Sequence, residues 1–175
     1  MRGPCGLVRI SASPRFHFRM FKIDFKGFAN HERARNQALL DARGVLEGLV
    51  DGDEGTLEGL EVQLPQLGRE LYVDLLVDTV PLLTGLTQMS LGHRIPIQVT
   101  SENLQFWLDS ARRLAEAREG LEYVMTPLFF SRVERGGLGE VMIQWEAPYV
   151  SLEDREKVEL TRLGKRTPGY VFTDS

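Results

Sequence analysis

Between Thr100 and Gly120 the apolar residues Leu104, Trp107, Leu108, Ala111, Leu114 and Ala115 return every three or four positions. That spacing describes a helix from Ser101 to about Arg118 with one oily side, which must be laid against something to be stable. Thr100 stands where an N-cap is wanted, and Gly120 where a left-handed turn closes a helix. A second segment, from about His31 to Val50, repeats the pattern with Ala34, Ala38, Ala42, Val45, Leu46 and Leu49 behind a capping residue, Asn30. Gly44 and Gly48 lie on or near that stripe and each costs about 1 kcal/mol against alanine inside a helix. Their presence predicts close packing against a sheet.

The partners for these stripes are short stretches that alternate apolar and polar residues, the period of a strand with one covered face. "MFKIDF" from Met20 alternates Phe21, Ile23 and Phe25. Leu57–Leu64 alternates Leu60, Val62 and Leu64, and Glu70–Asp78 alternates Leu71, Val73, Leu75 and Val77. Later, "RIPIQV" alternates Ile95, Ile97 and Val99, and "LEYVMTPLFFSRV" with "GEVMIQWE" reads as a hairpin around "ERGG". "LLTGLTQMSLG" reads as an irregular or helical linker. The fold expected is α+β: a largely antiparallel sheet with two main helices on one face. Strand, helix, strand, strand describes residues 20–79 and again 94–147, which raises a pseudo-duplicated β-α-β-β architecture. A short helix over 151–163 completes the reading.

At 175 residues the chain is long enough to bury a core without staples, and its lone Cys5 permits no internal disulfide. No apolar run reaches the ~18 to 20 residues that span a bilayer, so the expectation is a cytoplasmic protein. The net charge of −4 is unevenly spread. Residues 1–26 carry six basic and one acidic side chain, residues 27–80 four and eleven, and residues 81–175 eleven and thirteen. The apolar beat also slips at Met20: Phe16, Phe18 and Met20 fall on even positions, Phe21, Ile23 and Phe25 on odd ones. A slip by one residue exchanges the faces of a strand. Two explanations stand: a single domain that begins near Met20 behind a flexible extension over 1–19, or a β-bulge. The first is preferred, and without its basic arm the more acidic body weakens the case for general affinity to phosphates.

Chemistry finds little to hold. His31 and His93 have no metal-ligand spacing, no Cys-x-x-Cys exists, and no Gly-x-Ser-x-Gly elbow presents a nucleophile. No metal, cofactor or catalytic residue is expected on these grounds. His93 and Arg94 at the mouth of a pocket would suit an enzyme of unrecognised type. The second hairpin is richer, with Phe129, Phe130, Arg132 and Arg135. Successive strand residues face opposite ways, so at least one of the two adjacent phenylalanines is expected to leave the main core. Phe106 points away from its helix's buried stripe. Three functions compete. The first is a non-catalytic interaction or regulatory protein, a homodimer or partner of another protein, touching through Phe106 and the strand at Phe129 to Arg135. The second is a single-stranded nucleic-acid binder using the same rings and arginines. The third is the enzyme at His93.

Overall fold

The computed structural model describes residues 8–9, 19–25, 32–53, 55, 57–93 and 97–145. Helices and strands share one sheet-based domain, α and β mixed. Among the described residues the strands are β1 (Val8–Arg9), β2 (Arg19–Asp24), β3 (Leu57–Leu64), β4 (Gln88–His93), β5 (Tyr123–Met125), β6 (Phe130–Arg135) and β7 (Val141–Trp145). The helices are α1 (Glu32–Gly52), α2 (Arg69–Thr79) and α3 (Ser101–Ala117), and a single 3₁₀ turn, Val80–Leu82, follows α2. The strands lie in the sheet in the order in which they occur along the chain.

This sheet is mixed, not largely antiparallel. The pairings β2–β3, β3–β4 and β4–β5 are parallel, whereas β1–β2, β5–β6 and β6–β7 are antiparallel. Each parallel step is bridged by one helix, because a parallel neighbour can be reached only by crossing back over the sheet. α1 packs on α2 and α2 on α3. Helices on opposite faces of a sheet cannot touch, so all three form one layer on one face. The repeated β-α-β-β order is absent, since the first half runs strand, helix, strand, helix.

The missing strand is α2. Leu71, Val73, Leu75 and Val77 do alternate, but Tyr72, Val73 and Leu76 are the buried residues of this segment, joined by Val80 one turn on. "LYVDLLV" is apolar at nearly every position, so periods of 2 and 3.6 both fit it. The helix wins because its oily side continues the core between α1 and α3. Residues 97–100 are likewise not a strand; the strand of this region is β4, six residues earlier than expected, and 94–96 lie outside the described residues.

Registration across the sheet sets the two faces. Leu60, Met89, Val124, Ser131 and Trp145 lie in one row over β3 to β7. A second row runs Ile23, Val62, Leu91. The apolar members of these rows other than Trp145 join Leu46, Leu49, Tyr72, Leu76, Trp107, Ala111 and Leu114 in the main core. The opposite face carries Lys22, Glu61, Ser90, Met125 and Phe130 in another row. There Lys22 Nζ sits 2.9 Å from Glu61 Oε1, and Gln63 Nε2 donates to the same oxygen at 3.0 Å. Glu61 is buried, so its charge is held by the pair.

Local signals explain the helix ends. Thr100 Oγ1 accepts from the Asn103 N–H at 3.2 Å, the expected cap of α3. Gly44 and Gly48, in contrast, have open space around them, and α1 makes no close approach there. Beside Met20 the pairing shifts register, Arg19 lying opposite Leu57 and Met20 opposite Gly59, with the additional residue, Glu58, on β3; Phe16 and Phe18 lie outside the described residues. Val8–Arg9, inside the expected extension, pairs with β2, while the helix expected over 151–163 lies outside the described residues.

Tyr72 offers a pH readout of this core. Its ring stacks on Phe25, centroids 4.8 Å apart. Burial pushes its phenol up to about 12, with the Asp41 charge adding to the rise. The unfolded phenol ionises near pH 10. Below that pH the buried neutral form gives its full contribution; between about pH 10 and 12 the unfolded chain loses its proton first and stability falls. The expected loss is roughly 2–3 kcal/mol over that window. Chemical denaturation at stepped pH should show this alkaline limb in the native chain and a flatter one in Tyr72→Phe.

Candidate functional site

The β6–β7 hairpin lies at one end of the sheet and gathers most of the residues the sequence singled out. It is preceded by a tight turn. Thr126 donates its N–H to the Phe129 carbonyl at 2.9 Å, and its hydroxyl accepts from the Leu128 and Phe129 N–H groups at 3.3 and 3.1 Å. Pro127, which has no N–H to give, sits inside this turn. "LEYVMTPLFFSRV" is therefore two strands, β5 and β6, folded back on each other.

Phe129 and Phe130 do part to opposite faces, as alternation requires, but both are buried. Phe129 belongs to the main core and its ring is tilted against Trp145, centroids 5.4 Å apart. Phe130 lies on the other face against Tyr123 at 5.6 Å. β6 is flanked by β5 and β7, so the segment from Phe129 to Arg135 is an inner strand. Phe106 is half-buried on α3, with the Arg69 guanidinium 4.0 Å above its ring centroid. Arg69 also donates to Asn103 Oδ1 at 3.2 and 3.3 Å. The cation–π contact and the hydrogen bonds tie α2 to α3.

Arg135 is engaged too. One guanidinium nitrogen donates to the carbonyls of Ala115, Arg118 and Leu121 at 2.9, 2.8 and 3.5 Å. These carbonyls lie at and beyond the C-terminus of α3, that of Arg118 also accepting the Leu121 N–H, and there a positive charge meets the negative end of the helix dipole. Arg132 is exposed on the face that carries Phe130. Arg135→Ala should lower unfolding stability by about 1–2 kcal/mol in urea titrations, and Arg135→Lys should recover only part of it, because a compact ammonium is more strongly hydrated and costlier to dock.

His93 closes β4, half-buried and in register with Leu64. Arg94 lies outside the described residues. Among the described residues no group of three or more His, Cys, Asp or Glu comes together. Nor, among them, is any helix long and apolar enough to cross a membrane.

What lies open is β7. Leu138 at the hairpin tip is 93% exposed, Met142 45% and Trp145 37%. Val141, Met142, Ile143, Gln144 and Trp145 include no charged residue. Among the described residues no strand pairs with the outer side of β7. Natural edges of this kind are commonly blunted by lysine, proline or a bulge, and here all three are missing. Leu138 and Met142 were not picked out from sequence; the signal available was the uncharged run Val141–Trp145 behind an apolar hairpin tip.

No family model matches this chain, and no curated protein or solved structure does either.

Proposed function

We propose that the protein is a small cytoplasmic interaction or regulatory protein, without catalysis of its own, that works as a self-associated dimer. One observation carries this reading: the open, uncharged strand β7, with exposed Met142 and Trp145 beside it. A row of unpaired backbone N–H and C=O groups flanked by apolar side chains is a template for another strand. The nucleic-acid reading is weakened because Arg135 is spent on the end of α3.

Light scattering on a sizing column over a wide concentration range tests it, because self-association follows mass action. A dimer mass that falls toward the monomer on dilution is expected. Met142→Lys/Gln144→Lys should give a monomer at every concentration. Both positions are exposed, so the unfolding midpoint should move by no more than about 0.5–1 kcal/mol. A native chain that stays monomeric throughout overturns the proposal.

A second reading, an enzyme, has one observation in its favour. His93 stands at the carboxyl end of the parallel strand β4, the end at which α/β sheets bind ligands, in a sheet whose described strand order has no reversal to open a crevice there.

A further inference from the structure

We infer that two copies pair antiparallel through β7, about a two-fold axis passing at Ile143, to make one continuous sheet. This deepens the reading of the protein as a self-associating one and rests on it.

The hydrogen-bond phase of the hairpin fixes which groups face outward. The Val133 N–H donates to the Glu122 carbonyl and the Thr126 N–H to that of Phe129. Odd-numbered residues of β6 therefore turn their backbone groups toward β5. At the other end the Gly136 N–H donates to the Glu140 carbonyl at 2.8 Å. Glu134 is in register with Met142 and Arg132 with Gln144, so even-numbered residues join β6 to β7. An antiparallel ladder alternates bonded and non-bonded pairs. Val141, Ile143 and Trp145 are left with N–H and C=O pointing out of the sheet.

A two-fold axis perpendicular to the sheet keeps each face on the same side. Every residue then meets one of equal parity in the copy. Centred on Ile143, the axis sets Ile143 against itself and Val141 against Trp145, so every outward group of β7 finds a partner. Centred on Met142, it pairs Val141 with Ile143 and leaves Trp145 opposite Gly139, outside the strand. The Ile143 register also suits the side chains. Trp145 against Val141 is an aromatic and β-branched cross-strand pair, each such pair giving roughly 0.2–1 kcal/mol. Met142 lies against Gln144 on the other face. No like charges meet within the strand, so its five residues admit a second copy, and the like-charge pair that this register sets at each end, Glu140 against Glu146, opposes the contact. The result is an isologous contact, the usual form of a homodimer.

Cross-linking distinguishes this geometry from self-association in general. In the Ile143 register Met142 and Gln144 of opposite copies form a non-bonded pair with Cα atoms about 4.5 Å apart, within disulfide reach. In a Cys5→Ser background, Met142→Cys and Gln144→Cys are each prepared alone, then mixed under a mild redox buffer. A covalent dimer from the mixture, and from neither variant alone, is expected. Bridging by Met142→Cys alone places the axis at Met142 and overturns the register. A dimeric mass with no bridging in any sample puts the contact elsewhere on the molecule, which overturns this inference and leaves self-association standing. A monomeric mass removes both.

Discussion

Truncating Phe129 to alanine is expected to remove about 3–5 kcal/mol of unfolding stability, the range for deleting a large aromatic from a core. The residue is 0% exposed. Its backbone is fixed on both sides by Thr126, through the N–H and the carbonyl, so the main chain cannot collapse into the space the ring vacates. The loss should also be felt beyond the core. The Phe129 ring touches Trp145 across β6 and β7, so the truncation leaves the indole without its inner neighbour. Urea titration measures the stability. Red-shifted emission from Trp145, read in a Trp107→Phe background to isolate it, reports the loosened edge. Unchanged emission with full loss of stability would mean that the two rings are not coupled.

Trp107 gives the second large effect, and the comparison of two substitutions carries the information. The indole is 0% exposed, at the centre of the buried side of α3, and meets Phe106 edge-on at 4.9 Å. Trp107→Ala is expected to cost about 3–5 kcal/mol. Its Nε1–H, however, finds no acceptor among the described residues. A buried donor without a partner carries a penalty of about 1–3 kcal/mol. Trp107→Phe deletes that donor together with part of the volume, so the two changes oppose one another and the net cost should be only about 1–2 kcal/mol. A phenylalanine variant as unstable as the alanine one would show that the N–H is satisfied.

Both residues were visible in the sequence for what they are only in part. Trp107 lay on a stripe whose period is unambiguous, and α3 begins at Ser101 with its Thr100 cap as the pattern dictates. α1 and β3 were legible for the same reason: one period fits and the other does not. α2 and β4 were not. α2 is apolar on too many sides for any period to exclude the other. β4 is covered on both faces but fills one of them with Gln88, Ser90 and Gly92, so it lacks the uniform apolar run by which an inner parallel strand is usually known. Once α2 was read as a strand, antiparallel neighbours followed, and the parallel centre of the sheet was lost. The roles of Arg69 and Arg135 depend on atoms from segments distant in sequence, Asn103 and Ala115 among them. No local pattern announces such contacts. The phenylalanines were placed on the right faces and given the wrong exposure, because alternation tells which way a side chain points and not what lies there.

The spatial order of the strands is also the order in which a ribosome would deliver them. Each strand from β3 to β5 leaves the exit tunnel when its neighbour is already made, separated from it by a single helix. Sheets assembled from sequence neighbours spare the chain the long loop closures that slow other β-rich folds, and growth at one moving edge lets the nascent chain settle as it is synthesised. β7 is the last of the described strands to emerge, so the uncharged edge Val141–Trp145 is finished only after the rest of the described sheet can stand behind it.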